Sequence, residues 1–388
     1  PEGSGKANLI AIAADNSDRP HIYPRMADFT FYGGLYRGVN LIVVPRVHFD
    51  LEYWGAPGLS VTPQPDGESA FLKLQSWVKN ADADYTVCYT ITDAQGKNTA
   101  ECWRPAENPG TSVFLPKAHL WQGVEDPYLY TCTAALVYRN ETVDEISCRF
   151  GIRSFAVDPE KGFSLNGKPM MLRGVSRHQD RLYKGNALTR QEHYGDAAFI
   201  HELGANTVRL AHYQHSRDFY DACDEYGFIV WAEIPYISSQ SDDPKAHENC
   251  RTQMQELVYQ NYNHPSIITW TPVNESWGVP SVETEPMQQH FTEMIYHLTK
   301  SLDKGRPVIV NDGWEHTVSD IITLHDYEEK GEDVLHRYLA HKDELMDTRI
   351  YHCNRKSAFA NGYKYKGQPI IISEFGGIAF DNGEQGWG

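Results

Sequence analysis

Seven short apolar runs, most of them separated by a helix-length stretch, constrain this chain more than any other feature. They are "MMLRGVS" (170–176), "TVRLAH" (207–212), "FIVWAE" (228–233), "SIITWTPVNE" (266–275), "PVIVND" (307–312), "DIITLHDY" (320–327) and "PIIISEF" (369–375). Helical patterns fill much of the space between, over 191–203, 216–226, 250–262, 285–302 and 333–346. Strands apolar on both faces and alternating with helices predict a parallel sheet covered by helices. The expectation is a (β/α)₈ TIM barrel over 157–388, with its eighth strand not found before Gly388. In such a barrel the working groups stand at the carboxyl ends of the strands.

Polar residues gather at those ends. Arg177 and His178 follow the first run, and Arg209 and His212 close the second. Asn274 and Glu275 end the fourth, His325, Asp326 and Tyr327 the sixth, and Glu374 the seventh. Core packing alone does not put charge at the same end of so many strands. Arg209 and His212 are three apart, so on a regular strand they face opposite sides, and both line the mouth only if the strand end twists.

Glu275 and Glu374 would face each other across a closed barrel. Two carboxyl groups flanking a cleft are the equipment of glycoside hydrolysis, one neutral to protonate the leaving oxygen and one ionised to attack. Arg209 is suited to holding a nucleophilic carboxylate ionised, and Tyr327 to donating a hydrogen bond to it. The plain alternatives are a helix cap or an ion pair for each glutamate, and a structural role for His178 and His325.

No HExxH, CxxC or comparable spacing specifies a metal, and the chemistry calls for no cofactor. The net charge of -17 argues against nucleic acid or an anionic membrane as partner. No apolar run reaches the length of a membrane-spanning helix. The seven cysteines (88, 102, 132, 148, 223, 250 and 353) are irregularly spaced, as free thiols in a reducing compartment are. The expectation is a cytoplasmic, bacterial protein.

The first 156 residues have a different texture. Alternating runs at 8–15, 39–45, 70–78, 85–92 and 130–138 are separated by turn clusters such as "DAQGKN" (93–98). They predict antiparallel sandwiches, with "GAPGLSVTPQPDG" (55–67) as the boundary between two of them.

Several of these stretches together resemble glycoside hydrolase family two. "FGIRSFAVDPEKGFSLNGKPMMLRGVSRHQD" (150–180) is similar to the family's sandwich-to-barrel junction. "GANTVRLAHY" (204–213), "DEYGFIVWAEIP" (224–235), "NHPSIITWTPVNESWG" (263–278) and "IISEFGG" (371–377) follow in the family's order. "IYPRMADFTFYGGLYRGVNLIVVP" (22–45) resembles the end of its jelly-roll sugar-binding domain, and "WQGVEDPYLYTCTAALV" (121–137) its immunoglobulin-like sandwich. The resemblance implies three domains: 1–57, 58–156 and 157–388.

It also implies roles. Glu275 matches the acid/base and Glu374 the nucleophile. Asn274 would bind the sugar 2-hydroxyl, while Arg209 and Tyr327 support the nucleophile. His178 and His212 contact the sugar, and Asp28 reaches in from the first domain. The family's metal-dependent galactosidases place an acid and a histidine where this chain has Ile237 and Ser239, so magnesium is not implied. The implied activity is that of a retaining exo-β-glycosidase on a β-glycoside or oligosaccharide. A β-galactosidase is expected first and a β-glucuronidase second, with homo-oligomerisation left open. The rival reading is a carbohydrate-binding protein or fragment without catalysis.

Overall fold

The computed structural model describes residues 7–27, 29–236, 243–346 and 355–376. Residues 59–150 form two antiparallel sheets. One orders strands Leu59–Asp66, Ser69–Ser76 and Thr111–Leu115. The other orders Asn98–Pro105, Tyr85–Thr92, Tyr130–Tyr138 and Glu141–Phe150. Between them lie Val61, Leu72, Leu74, Tyr89, Ile91, Leu136 and Phe150, all buried. The six described cysteines are free, including Cys132 and Cys148, which stand opposite each other on neighbouring strands.

One expectation for this half fails, and one stretch holds more than expected. The proline-rich stretch 55–67, expected as a boundary, also contains the edge strand Leu59–Asp66. Pro63 and Pro65 share a parity with Val61, whose N–H turns out of the sheet to Asn263 Oδ1 at 2.9 Å. The missing proline donors therefore fall on the edge where no strand needs them. The runs at 8–15 and 39–45, expected as strands, form none. Residues such as Leu41 (78% exposed) and Val43 (86%) have the composition of a strand and no neighbour to pair with among the described residues.

From residue 174 onward, seven parallel strands follow in chain order among the described residues. They are Gly174–Ser176, Thr207–Leu210, Ile229–Glu233, Ile267–Thr271 (continued by Val273–Asn274), Asn311–Asp312, Ile322–Asp326 and Ile370–Phe375. Ladders join the first four, the fourth to the fifth, and the sixth to the seventh. Among the described residues five helices lie between them, Arg190–Glu202, Arg217–Tyr226, Pro244–Asn261, Pro286–Leu302 and Gly331–His341. The first begins in a Thr189/Glu192 capping box, and the third and fourth carry proline in their first turn.

The strands alternate between two apolar environments. Val230 and Ala232 pack outward beneath the helices, while Ile229 and Trp231 pack inward with Ile268, Ile309 and Ile321. Sandwich and barrel are held in close contact. Trp121 donates from its indole to Asp224 O at 3.0 Å, and Arg153 Nη2 donates to Ile267 O at 2.6 Å.

Candidate active site

Strand alternation sets the site. On the third strand Ile229 and Trp231 point inward, so Glu233, two residues further, points into the mouth. On the second strand Val208 and Leu210 face the helices, which sends Arg209 inward.

Arg209 is the hub. Its Nη2 donates to Asn274 Oδ1 at 2.6 Å, and its Nη1 pairs with Glu374 Oε2. Its Nε faces Glu233 Oε1 at 2.5 Å and Asp312 Oδ2 at 2.9 Å. One buried guanidinium thus reaches groups on the third, fourth, fifth and seventh strands. Burial opposes its charge, but Glu233, Asp312 and Glu374 outweigh that and hold it firmly protonated.

Glu275 lies on the turn after the fourth strand, at φ +51°, and Ser276 follows at +59°. Consecutive left-handed residues without glycine persist only where their surroundings hold them. Here the Glu275 N–H donates to Asp312 O and the Ser276 N–H to Asn311 Oδ1, both at 2.8 Å. Ser276 Oγ donates to buried Glu315 at 2.5 Å, and Lys356 neutralises Glu315 at 2.8 Å.

The two glutamates meet at one phenol. Tyr327 Oη lies 2.8 Å from Glu275 Oε1 and 2.7 Å from Glu374 Oε1. Donor atoms of Glu275, His325 and Glu374 all lie within 4.8 Å of one another. Burial raises the Glu374 carboxyl, but the charges of Arg209, His325 and His212 and the Tyr327 hydrogen bond outweigh it, so the carboxyl sits below its ordinary value. Burial and the two carboxylates push the Tyr327 phenol far up, so it stays a donor.

The expected twist after Arg209 is present. The strand ends at Leu210, and His212 Nδ1 lies 3.0 Å from Glu233 Oε2, so Arg209 and His212 reach the same carboxylate. His178 stands beside them, its ring 5.5 Å from that of His212 and its Nδ1 3.4 Å from Tyr213 Oη. Asp28, Ile237 and Ser239 lie outside the described residues. The first segment nevertheless enters the site through Phe29, whose ring lies 5.0 Å from His178 and 6.1 Å from His212.

Sequence reasoning overlooked Glu233, Asp312, Ser373 and Phe29. The first two end apolar strand runs, the same signal that marked Glu275 and Glu374. Ser373 Oγ donates to Asp312 at 2.5 Å, and the seventh run offered nothing to single it out. Among the described residues two groups bring carboxylate and imidazole atoms close enough for a cation. In one, Arg149 lies 3.0 Å from Asp221 and His264 lies 2.6 Å from Asp224. In the other, Glu275, His325 and Glu374, the charges of Arg209 and a protonated His325 already offset the carboxylates. Neither is read as a metal centre. Among the described residues no helix is long and apolar enough to cross a membrane.

Comparison with known proteins shows the family of the chain. Residues 156–385 match the model of the glycosyl hydrolases family 2 TIM barrel domain, and residues 57–153 match a second model of the same family. The crystal structure of an FMN-binding β-glucuronidase from Facaelibacterium prausnitzii superposes with a TM-score of 0.82 at 43% identity, covering 94% of this chain and 55% of that one. A β-glucuronidase of Bacteroides fragilis is 33% identical over 78% of this chain and 45% of its own. A β-galactosidase of Thermoanaerobacter pseudethanolicus is 28% identical over 82% of this chain and 42% of its own. The chain spans about half the length of the relatives it matches.

Proposed function

The chain belongs to glycoside hydrolase family 2, and from that membership we propose a retaining exo-β-glycosidase that releases terminal β-linked sugars by double displacement. Glu374 is the nucleophile and Glu275 the acid/base. The observation that carries this reading is the single Tyr327 hydroxyl within hydrogen-bonding reach of both carboxylates, at 2.8 and 2.7 Å. Carboxylate oxygens within 4.8 Å of each other suit the spacing of about 5–5.5 Å used in retention. The spacing of about 6.5–9.5 Å that admits a water for inversion is larger.

In the first step a Glu374 oxygen bonds to the anomeric carbon while the glycosidic bond breaks. The departing oxygen takes the electron pair and the Glu275 proton. In the second step Glu275 removes a proton from water, the water oxygen bonds to the same carbon, and the Glu374 ester bond breaks. Arg209 holds Glu374 ionised between turnovers. Asn274, fixed by Arg209, is the donor for the sugar 2-hydroxyl, while His178, His212 and Asp28 line the sugar site.

For the sugar itself, the galactoside expected from the sequence gives way to a glucuronide. The relatives compared are named β-glucuronidase more often than β-galactosidase, and the solved relative at 43% identity carries the former name. The flavin in that relative's name has no step here, because displacement at an acetal carbon moves no redox equivalents. In the same reading, 1–57 is the end of a jelly-roll sugar-binding domain, 58–156 an immunoglobulin-like sandwich and 157–388 the catalytic barrel. The test is proton NMR of the anomer first released from aryl β-glucuronide and β-galactoside. A β-anomer released first supports double displacement. An α-anomer released first, or no turnover of either glycoside, sinks it.

A further inference from the structure

His325 has no assigned part in that displacement, yet it is a fully buried ring set among three carboxylates. Its Nδ1 lies 2.7 Å from Glu275 Oε1 and 3.7 Å from Glu374 Oε2, and its Nε2 lies 3.6 Å from Asp312 Oδ1. The fold makes room for it. Gly313 sits at φ +110°, and a Cβ there would stand 2.8 Å from Nδ1. The Trp314 ring closes another side, edge-on at 5.6 Å. A neutral imidazole would have to turn one nitrogen lone pair toward a carboxylate, whereas an imidazolium offers N–H on both sides.

Resting on the paired-glutamate reading, we infer that His325 is a positioning residue: held as an imidazolium by Asp312, it orients Glu275 through Oε1 and sets the pH range in which the two glutamates work. Tyr327 also contacts Oε1, at 2.8 Å. Both contacts fall on one oxygen, which leaves Oε2 to carry the proton to the leaving group. In the first step Glu275 becomes anionic as Glu374 loses its charge by bonding to carbon. The negative charge therefore passes from one carboxylate to the other across a fixed cation close to both. His325 keeps its two protons throughout, so the ring neither donates to nor takes from the substrate.

The surrounding charges agree with this assignment. Glu275 faces the ring from the fourth-strand turn, Asp312 from the fifth strand and Glu374 from the seventh. Tyr327, on the same segment as His325, stays a neutral donor. The cation Arg209 works against a second positive charge, and His316 is pushed down to about 4 by burial, so it adds none at neutral pH. Burial opposes the His325 charge, but the nearby Asp312 carboxylate and the hydrogen bond with Glu275 prevail and raise the ring to about 9.

The experiment compares pH profiles of kcat/KM for a phenyl β-glycoside, whose leaving group needs a proton, in the wild type and in His325→Asn. The asparagine amide keeps a donor near Nδ1 and removes the charge. Without the cation each carboxyl holds its proton to higher pH, so both limbs of the bell should move upward by about 1 pH unit or more. Unmoved limbs with a uniformly lower rate would make His325 merely structural and overturn the inference. Failure of the paired-glutamate reading looks different, since the wild type itself would then turn over no β-glycoside. If the variant does not unfold cooperatively, ¹⁵N-histidine NMR of the wild type decides. An imidazolium resonance persisting at about pH 8 supports the inference, and its absence ends it.

Discussion

Arg209 pairs with Glu374 across the barrel mouth, from the second strand to the seventh. Asp312 lies against the same guanidinium at 2.9 Å and Glu233 at 2.5 Å, so removing Arg209 strands three buried or half-buried carboxylates at once. Breaking a buried pair by deleting one partner costs about 3–5 kcal/mol, because the remaining charge is left unpaired. Arg209→Met should lose at least that much in denaturant unfolding. Arg209→Lys keeps a charge but not the fork that reaches Asn274 and Glu374 together. It should fold, with kcat on any substrate lowered about a hundredfold. A lysine variant with unchanged kcat would remove Arg209 from the site.

Gly227 joins barrel to sandwich through the absence of a side chain. It ends the helix Arg217–Tyr226 at φ +77°, and a Cβ there would stand 2.1 Å from the Gly123 carbonyl carbon. Backbone meets backbone, so no rotamer relieves the contact. Gly227→Ala should cost roughly 2–4 kcal/mol, combining a left-handed penalty with overpacking. Gly162, also at positive φ (+75°) but with no atom within 4 Å of a Cβ, is the control and should show the first cost alone. Equal losses at the two positions would mean the contact with Gly123 is unimportant.

Much of the barrel was legible because buried parallel strands are written as apolar runs, and the polar residues that end them form the candidate site. That rule found Glu275, Arg209, His325 and Glu374. Applied evenly it also finds Glu233 and Asp312, which close "FIVWAE" and "PVIVND" in the same way. Phe29 was beyond the rule, because it lies in an irregular segment with no strand end to mark it. The run at 39–45 misled for the opposite reason. Strand composition describes a willingness to pair, and pairing needs a neighbour that composition does not report. Pro63 and Pro65 allowed two readings, because proline marks a sheet edge as well as a linker, and Asn263, about two hundred residues away, reveals the edge.

Stability should fall on the alkaline side through His325. Its folded value of about 9 lies above its ordinary 6.5, so between these the folded state binds a proton that the unfolded chain does not. Its contribution is therefore complete below pH 6.5 and is lost as pH rises through about 9. The integrated loss is on the order of 3 kcal/mol. Unfolding free energies measured across this range should decline in the wild type and stay flatter in His325→Asn. Glu374 acts in the other direction. Its folded value lies below the ordinary carboxylate value, so its contribution is present above that value and disappears as pH falls through the lower one.

The two glutamates should respond differently to deletion. If Glu374 is the nucleophile as proposed, Glu374→Ala removes the atom that bonds to the anomeric carbon, so every β-glycoside should be lost together. Glu275→Ala removes only a proton carrier. A nitrophenolate leaves without protonation, so glycosylation of Glu374 should survive on an activated substrate, while a substrate whose leaving group is a second sugar should slow by several orders of magnitude. The second step then stalls, because no base activates water. Azide needs no base, and it can enter the space vacated by the carboxylate. Added azide should restore turnover and yield a β-glycosyl azide, the product of two inversions at one carbon. The Tyr327 hydroxyl, freed from Glu275, still has Glu374 Oε1 at 2.7 Å, so the Glu374 carboxylate keeps a hydrogen-bond donor in the variant. A structural ion pair predicts none of this asymmetry, since its loss would weaken all substrates alike. Equal losses on activated and unactivated substrates, with no azide adduct, would leave Glu275 without its proposed role.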